Sequence, residues 1–316
     1  MTTLRMRVAR IDALTPTIRR LLLVAADGAP LPAFSAGAHI GLHVPIDGRT
    51  QRRAYSLVNA PAHTDHYEIA VQLEATSSGG SRWVHELEPG AELEIGVPRN
   101  DFPLDPATQD ALLIAGGIGI TPILAMARAL DAAGTAYALH YAAREAATMA
   151  YRDDVLAMPA ATCWLDGGDP RNGMPLATTI GAPQAGRHLY VCGPRPLIDA
   201  VLAQADTLGW PAAQVHSELF TANQDSTGDT AFEVVLKASN LSLNVAAGKT
   251  VLDAMIDAGL DPLFDCRRGD CGVCTTQVID GTPDHRDICL SEQDRERGDF
   301  CPCVSRATSS RLVLDL

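Results

Sequence analysis

Three cysteines lie close together in the segment CRRGDCGVC, and their spacing could hold a metal or a cluster. Cys266, Cys271 and Cys274 are separated by four and by two residues, which is the plant-type [2Fe–2S] spacing, with a fourth cysteine supplied from further downstream. Two glycines between them allow the tight turn that aims backbone N–H groups at sulfur atoms. A zinc site usually pairs two CxxC-like knuckles, and only one is present. The spacing therefore favours iron and sulfide over zinc and over clustered thiols without metal.

The fourth ligand has two candidates in the segment FCPCVSRA, Cys301 and Cys303, which only Pro302 separates. Cys289 is a further cysteine in this part of the chain, and we expect it to be a buried structural thiol. Residues 231–316 resemble the plant-type ferredoxin domain, and CVSRA resembles the ferredoxin tail of the phthalate dioxygenase reductase-like family. In that family the cysteine before Val-Ser-Arg is the fourth ligand, so the resemblance implies this role for Cys303.

A second short motif, RAYSL, resembles the flavin-binding signature of the ferredoxin–NADP reductase superfamily. Arg53 offers a forked cation for a phosphate, and Tyr55 offers an aromatic face for the flavin ring system. Ser56 offers a hydroxyl or N–H group to the reactive ring nitrogen, and Ala54 belongs to the same predicted binding stretch. Taken alone, these residues also fit an ordinary amphipathic strand.

The segment EATSSGGSRWVHEL contains a Gly-Gly-Ser turn at the start of a predicted helix, which indicates an anion site made by backbone N–H groups. The family resemblance implies that Gly80 and Ser81 help Arg53 to hold the phosphate of FMN. FMN is favoured over FAD because nothing in the N-terminal block looks like a segment for an adenosine half. VHSELF resembles the end of the family's nucleotide domain, where a terminal aromatic, here Phe220 beside Glu218, lies over the flavin. An ordinary core aromatic is the alternative.

The glycine-rich segment LLIAGGIGITP predicts a nucleotide-binding turn between a buried strand and a helix. Gly116, Gly117 and Gly119 would let the backbone approach a pyrophosphate at the N-terminus of that helix. Thr121 is expected to cap the helix, and Pro122 suits its first turn. A glycine-rich turn is a weak signal by itself, so a second motif is needed to support it.

The segment YVCGP supplies that support, because in the reductase superfamily it closes the nicotinamide side of the same cleft. The resemblance places Cys192, followed by Gly193, beside the reacting nicotinamide carbon as a packing group and not as a nucleophile. A tight turn with a core thiol is the alternative. In LDGGDP, Asp166 and Asp169 lie where a nucleotide ribose is expected, and carboxylates favour NADH over the 2′-phosphate of NADPH. Arg144 argues the other way, because it could contact a phosphate.

The spacing of apolar residues along the chain predicts the strands and helices that position these motifs. Residues 1–104 alternate short apolar and polar runs between turn residues, which predicts a small antiparallel barrel or sandwich. The family resemblance implies an antiparallel β-barrel that binds FMN. Residues 105–222 alternate buried strands with alanine-rich helices, which is typical of a doubly wound α/β domain. The resemblance implies that this domain binds NAD. The polar segment 223–230 predicts a flexible linker. Residues 231–316 begin with two strands and a helix capped at or beside Thr250, and the ferredoxin resemblance implies an α+β β-grasp fold.

Composition limits the classes of partner. A net charge of −13 argues against nucleic acid and against an anionic membrane surface, because both need basic patches. The apolar run 111–130 has membrane-spanning length, but its glycines and Thr-Pro identify it as the nucleotide-binding turn. No credible export signal is present, so we expect a cytoplasmic protein whose eight cysteines are reduced thiols or metal ligands.

The three blocks together resemble the phthalate dioxygenase reductase-like family, which includes vanillate demethylase reductase, over almost the full length. The resemblance implies electron transfer from NADH to FMN, to the [2Fe–2S] cluster and then to a separate Rieske-type aromatic-ring oxygenase or demethylase. No residue is expected to act as an acid or base. One alternative is an FAD-containing reductase of another acceptor, such as a di-iron monooxygenase. Another is a redox-sensing or scaffold protein that binds flavin without turnover.

Overall fold

The computed structural model contains two compact units, Met1–Glu218 and Leu219–Leu316. The described residues are 3–46, 48–74, 79–220, 226, 228–264, 267, 269, 272–287, 289–290 and 292–316. Two of the predicted cluster ligands, Cys266 and Cys271, and most of the first half of the predicted linker lie outside these residues. Among the helices of the described ranges, none combines the length and the apolar character that crossing a membrane requires.

Six antiparallel strands form the first sheet of the N-terminal unit. They are β1 (Thr3–Ala13), β2 (Ile18–Ala25), β3 (His39–Ile46), β4 (Arg49–Ser56), β5 (Tyr67–Gln72) and β6 (Glu92–Gly96), with a short helix α1 (Gly80–Glu86) after β5. Their order is β4-β3-β6-β1-β2-β5, and a bridge between Leu57 and Ile69 joins the two edges. Alternate residues such as Leu42 and Ile95 are fully buried in one core. The sheet therefore curls into the predicted antiparallel barrel, because one face of each strand is apolar.

The second sheet of this unit has five parallel strands. They are β7 (Asp110–Gly116), β8 (Ala136–Ala143), β9 (Ala161–Leu165), β10 (Arg187–Cys192) and β11 (Val215–Glu218), and the helices among them are α2 (Ile120–Ala133), α3 (Arg152–Leu156), α4 (Leu176–Ile180) and α5 (Arg195–Thr207). The order is β11-β10-β7-β8-β9, so the chain reverses its direction across the sheet between β7 and β10. The predicted doubly wound fold is confirmed, and the apolar run 111–130 is part of β7 and α2. Open α/β sheets bind ligands at such a switch point, outside the carboxyl ends of the strands.

The C-terminal unit has a mixed sheet with one helix packed on it. Its strands are β12 (Phe232–Leu236), β13 (Leu241–Val245), β14 (Thr276–Asp280), β15 (Pro283–Asp284), β16 (Asp299–Phe300), β17 (Arg306–Ala307) and β18 (Arg311–Leu314), and its helices are α6 (Val251–Asp257) and α7 (Glu292–Glu296). The main sheet has the order β13-β12-β18-β14-β16, with β12 and β18 parallel. This is the β-grasp arrangement that the ferredoxin resemblance predicted. As predicted, Thr250 caps α6, because its hydroxyl accepts a hydrogen bond from the N–H of Asp253 at 3.0 Å.

The end of the predicted linker is bound to this C-terminal unit. The buried carboxylate of Asp229 accepts a hydrogen bond from Arg286 at 2.6 Å and lies 3.2 Å from the Nε atom of Arg306. Arg306 also donates to the carbonyl of Thr230 at 2.8 Å. Burial by itself would raise the pKa of Asp229, but the hydrogen bond from Arg286 and the charges of both arginines hold this pKa below its ordinary value. The polar segment 223–230, which predicted a flexible linker, therefore ends in a cluster of buried ion pairs.

Candidate cofactor sites

The two glycine motifs of the parallel sheet meet backbone to backbone at its switch point. A Cβ atom added at Gly193 would lie 3.0 Å from the Cα and N atoms of Gly116. A Cβ atom added at Gly119 would lie 2.6 Å from the N atom of Gly193 and would overlap the Cys192 carbonyl group. The contact leaves no room for larger residues, and Gly117 has a φ of 54°, in the left-handed region that favours glycine. The motifs predicted to bind the pyrophosphate and to close the nicotinamide side are therefore direct neighbours.

The helix after this turn starts earlier than the sequence predicted. α2 begins at Ile120, and its N-cap position is Gly119, which has no side chain with which to cap it. The Thr121 hydroxyl instead donates to the carbonyl of Ile118 at 3.0 Å, inside the turn. The prediction that Thr121 caps the helix is wrong, because the 3₁₀ turn Gly117–Gly119 already brings the chain into helical geometry.

Arg53 on β4 lies against the Gly-Gly-Ser turn at the start of α1. A Cβ atom added at Gly80 would lie 2.9 Å from the Nε atom of Arg53, so the arginine side chain covers this glycine. The guanidinium donates to the side chain of Gln51 at 2.8 Å. The hydroxyl of the neighbouring Ser81 is buried and accepts a hydrogen bond from the N–H of Glu74 at 3.1 Å. The three residues predicted to hold a phosphate therefore lie at one corner of the barrel.

The rest of the RAYSL motif occupies the last residues of β4. Tyr55 is half-buried and packs on the barrel core, and burial raises its pKa to about 12, so its hydroxyl is protonated at neutral pH. Ser56 is buried and pairs with His39 of β3. Ala54, between them, is exposed. The motif thus combines a half-buried aromatic ring with a small exposed side chain near the end of a strand.

Two aspartates follow β9 at the carboxyl edge of the parallel sheet. Asp169 accepts hydrogen bonds from Arg171 at 2.7 to 3.1 Å, and this pairing lowers the pKa of Asp169. The Asp166 carboxylate accepts a hydrogen bond from the N–H of Gly168 at 2.7 Å. The N–H of Asp166 donates to the carbonyl of Ala143, the last residue of β8, at 3.2 Å. The two predicted ribose ligands are therefore unequal, because an arginine already neutralises Asp169.

Cys192 is the last residue of β10 and is fully buried, in register with Glu218, the last residue of β11. Burial of this thiol is what a packing group requires. Phe220, predicted to lie over the flavin, is half-buried and belongs to the C-terminal unit. Its role at the flavin stays a prediction.

Cys274 and Cys303, the two predicted cluster ligands within the described residues, are both buried in one apolar cluster. Gly269 and Gly272 have φ values of 78° and 68°, which confirms the predicted need for glycine in a tight loop. A Cβ atom added at Gly269 would lie 2.9 Å from the Cα atom of Asp287. The loop therefore passes close to the segment that precedes α7.

Cys289 and Cys301 lie beside the predicted ligands and touch each other. Their Sγ atoms are 3.5 Å apart, and Cys301 is fully buried. Hydrogen bonding with the thiols of Cys274 and Cys289, together with burial, raises the pKa of the Cys301 thiol. Cys289 packs against the same apolar cluster but is only half-buried, so it is less buried than the sequence predicted.

Sequence reasoning missed a buried carboxylate beneath the cluster loop. Asp287 is fully buried and accepts hydrogen bonds from the Ser305 hydroxyl at 3.0 Å and from Arg295 at 3.1 Å. Close by, the N–H of Cys289 donates to the carbonyl of Gly269 at 3.1 Å. These bonds tie the segment before α7 to the loop and to the CVSRA tail. The only sequence signal was the polar run DHRD, which does not reveal its partners.

A second missed cluster lies in the first half of the parallel strands, away from their carboxyl ends. His188 and His216 share a hydrogen bond of 2.9 Å between Nδ1 and Nε2. The hydroxyl of Tyr190, which stacks on His216, accepts a hydrogen bond from the N–H of Asp105 at 2.8 Å. Burial and the neighbouring His188 lower the pKa of His216. His216 is therefore a hydrogen-bonded structural residue.

Comparisons with known proteins agree with this arrangement. A family model described as the 2Fe-2S iron-sulfur cluster binding domain matches residues 234–308. The vanillate O-demethylase oxidoreductase of Acinetobacter baylyi is 38% identical over 313 residues, which cover 98% of each chain. The heme-dependent oxidative N-demethylase beta subunit of Ectopseudomonas mendocina is 40% identical over 318 residues, covering 100% of this chain and 99% of that one.

Among solved structures, phthalate dioxygenase reductase superimposes with a TM-score of 0.78 at 35% identity, covering 99% of this chain and 98% of that chain. That protein is described as a modular structure for electron transfer from pyridine nucleotides to [2Fe–2S]. The similarity spans both units of the chain and is not confined to the domain that contains the cysteines.

Proposed function

The chain belongs to the phthalate dioxygenase reductase-like family, and we propose that it serves a Rieske-type aromatic-ring oxygenase or demethylase, with FMN as its flavin. It is an oxidoreductase, the reductase component of a multicomponent oxygenase system. It carries electrons from NADH through a flavin to a [2Fe–2S] cluster and on to a separate oxygenase. Bound flavin supplies the conversion of a two-electron hydride donor into one-electron transfer to the cluster. We place the protein in the cytoplasm, where reduced cysteines are the rule.

The observation that carries this proposal is that one chain contains three separate cofactor features. They are the glycine contact at the switch point, the arginine-covered turn on the barrel, and the buried cysteines of the C-terminal unit. A nucleotide domain alone would suit many dehydrogenases, and a ferredoxin domain alone would suit many carriers. Their combination suits a protein that takes electrons in pairs and releases them singly.

The contact of Arg53 with Gly80 supports a phosphate site on the barrel. We assign the guanidinium of Arg53, with Gly80 and Ser81, to the phosphate of FMN, because charge-assisted hydrogen bonds to phosphate are strong and directional. The hydrogen bond from Arg53 to Gln51 holds the guanidinium near this corner.

The last residues of β4 are assigned to the flavin ring system. Tyr55, with its protonated hydroxyl, offers an aromatic face, and the exposed Ala54 leaves space for a large planar group. Ser56 offers its backbone N–H or its hydroxyl to the ring nitrogen. Phe220 is assigned to the flavin by family resemblance. FMN is preferred to FAD because the barrel sequence lacks a segment resembling an adenosine site.

The backbone of Gly116, Gly117 and Gly119 is assigned to the pyrophosphate of NADH, where the absence of side chains permits close approach. Thr121 follows in the first turn of α2, and its hydrogen bond to Ile118 stabilises the glycine turn.

Three further residues complete the proposed nucleotide site. Cys192 and Gly193 border the nicotinamide, with Cys192 as a packing group. Asp166 is assigned to the ribose hydroxyls, because Asp169 is already paired with Arg171. A carboxylate at this position repels a 2′-phosphate, which supports NADH over NADPH.

Four cysteines are assigned as cluster ligands: Cys266, Cys271, Cys274 and Cys303. The burial of Cys274 and Cys303 in one apolar cluster and the left-handed glycines of the loop fit a group that needs thiolates in a tight turn. Thiolate ligands also bind iron in preference to hard cations such as magnesium or calcium.

The proposal is tested on the purified full-length protein, produced with ample iron and riboflavin. We expect a coloured protein that reduces cytochrome c with NADH and that releases FMN, not FAD, on acid treatment and chromatography. A colourless protein would contradict the whole electron relay. Release of FAD would contradict only the flavin assignment.

A haem-containing acceptor is the second candidate, because a relative with 40% identity over the full length is named as a subunit of a heme-dependent oxidative N-demethylase. The two candidates are separated by reconstitution. NADH consumption coupled to product formation should appear with a Rieske-type oxygenase subunit and not with a haem-containing demethylase subunit.

A further inference from the structure

Cys289 and Cys301 are the two cysteines of the C-terminal unit that the proposed ligand set leaves out. Their Sγ atoms are 3.5 Å apart, and a disulfide bond requires about 2.05 Å, so a small side-chain movement would join them. We propose that Cys289 and Cys301 are a redox-active thiol pair that closes reversibly into a disulfide beside the cluster. This rests on the proposed function in one respect, namely that Cys303 and not Cys301 completes the cluster.

The two thiols differ in access to solvent. Cys289 is half-buried, packs against the apolar cluster and lies between β15 and α7. Cys301 is fully buried, and its carbonyl accepts hydrogen bonds from the N–H groups of Val304 at 3.3 Å and Ser305 at 3.0 Å. An oxidant from solvent therefore reaches Cys289 first, and the buried Cys301 lies next to it in a fixed position. A more accessible thiol that is oxidised first, beside a second thiol that resolves it, is the usual arrangement of redox-sensing pairs.

The chemistry needs an oxidant, and we name hydrogen peroxide. In the first step the Cys289 thiol reacts with one peroxide molecule, giving a sulfenic acid and one water molecule. In the second step the Cys301 sulfur attacks the Cys289 sulfur, the S–S bond forms, and the hydroxyl group leaves with the Cys301 proton as a second water molecule. A dithiol reductant reverses the process by thiol–disulfide exchange and is itself oxidised to a disulfide.

The position of the pair links its oxidation state to the cluster loop. A Cβ atom added at Gly272 would lie 3.9 Å from the Cys289 sulfur. The Thr275 hydroxyl lies 3.7 Å from the Cys301 sulfur and donates to the carbonyl of Gly272 at 2.6 Å. Joining the two sulfurs must change these contacts, and the loop between Gly272 and Thr275 carries the ligand Cys274. We therefore expect the disulfide to alter the paramagnetic signal that the cluster gives when it is reduced.

The experiment uses the full-length protein with its cofactors bound, treated with one equivalent of hydrogen peroxide in the absence of NADH. Mass spectrometry of the digested protein should show a Cys289–Cys301 link, two hydrogen atoms lighter than the free peptides and reversible by dithiothreitol. The visible absorbance of the cluster should persist. Cys289→Ser and Cys301→Ser should each abolish the link. Cys163→Ser, which removes a half-buried thiol from β9, should leave it unchanged.

Three results would overturn the inference. The first is an intact cluster without a link after peroxide treatment, and the second is loss of the cluster before any link forms. The third is loss of the cluster in untreated Cys301→Ser, which would identify Cys301 as a ligand and would also overturn the proposed ligand set. Only this third result affects the proposed function, so the two failures are distinguishable.

Discussion

Gly116 at the end of β7 and Gly193 just after β10 touch backbone to backbone, and a Cβ atom on Gly193 would lie 3.0 Å from the Cα atom of Gly116. The three atoms nearest to this added Cβ atom all belong to the main chain of Gly116. Main-chain atoms cannot rotate away as a flexible side chain can. The two strands approach this closely because residue 193 has no side chain, and a Cβ atom at Gly116 would in turn lie 2.5 Å from the side chain of Leu197. The proposed nucleotide site depends on this approach.

Replacement of Gly193 by alanine should damage nucleotide binding and leave the flavin in place. Over-packing of this kind typically costs about 1–3 kcal/mol, so we expect kcat/KM for NADH to fall about tenfold or more. Steady-state kinetics with a one-electron acceptor and the flavin absorbance measure the two effects. Gly96→Ala is the matched control, because the nearest atom to its added Cβ is 4.0 Å away. Equal kinetics for both variants would show that the glycine contact has no part in nucleotide binding.

Replacement of Arg53 by alanine should weaken flavin retention. Hydrogen bonds to charged groups are worth about 1.5–3 kcal/mol, so the dissociation constant of FMN should rise about tenfold to a hundredfold. Fluorescence titration of the flavin-depleted protein measures this, and Arg53→Lys should restore only part of the affinity because lysine lacks the planar fork. Arg52→Ala removes the neighbouring exposed arginine as a control. Unchanged affinity in Arg53→Ala would remove this residue from the phosphate site.

The sequence predicted those parts of the site that depend on residues close together along the chain. The glycine turn and the capped start of α6 were predictable because a positive φ and an N-cap are local requirements. The early start of α2 was not predictable in this way. The preference of threonine for the N-cap position pointed to Thr121, and it does not reveal the 3₁₀ turn that makes Gly119 the N-cap. The contact of Cys289 with Cys301 and the ion cluster around Asp229 depend on loops that meet only in three dimensions. A polar segment such as the one that contains Asp229 looks like a flexible linker in the sequence, because the sequence does not show the buried arginines with which it pairs.

Replacement of Asp166 by alanine should reduce the preference for NADH. In the proposed site, loss of the carboxylate would remove hydrogen bonds to the ribose and the repulsion of a 2′-phosphate. We therefore expect the ratio of kcat/KM for NADH over NADPH to fall about tenfold. Steady-state kinetics with both nucleotides measure this ratio. Asp169→Ala is the matched control, because the Asp169 carboxylate is paired with Arg171. A larger change of the ratio in the control would reassign the ribose site to Asp169.

Replacement of Asp229 by asparagine should destabilise the C-terminal unit, because two arginines would be left without their shared carboxylate. Breaking a buried ion pair costs about 3–5 kcal/mol, and urea denaturation of the full-length protein measures the loss. Because the pKa of Asp229 is lowered, its stabilising effect is fully present above the unfolded-state pKa and disappears only as the pH falls through the lower folded-state value. The loss should therefore be constant between about pH 5 and pH 8.

The exposed Asp261 provides the control for this prediction, since Asp261→Asn should change the free energy of unfolding by about 0.5 kcal/mol or less. A loss in Asp229→Asn that varied strongly across the same pH range would assign the pH dependence to another group.

Cys303→Ser should abolish the visible and paramagnetic signals of the cluster, whereas Cys301→Ser should leave them. The two residues are separated only by Pro302, and both are buried in the same apolar cluster, so they form a closely matched pair of variants. Loss of Cys303 would remove one of the four proposed thiolate bonds to the cluster, whereas loss of Cys301 would remove its hydrogen bond with Cys274 and its contacts with Thr275 and Cys289. Absorbance of the purified variants, and electron paramagnetic resonance after their reduction, provide the comparison. If Cys301→Ser lost the signals and Cys303→Ser kept them, the fourth ligand would be the buried thiol that precedes Pro302.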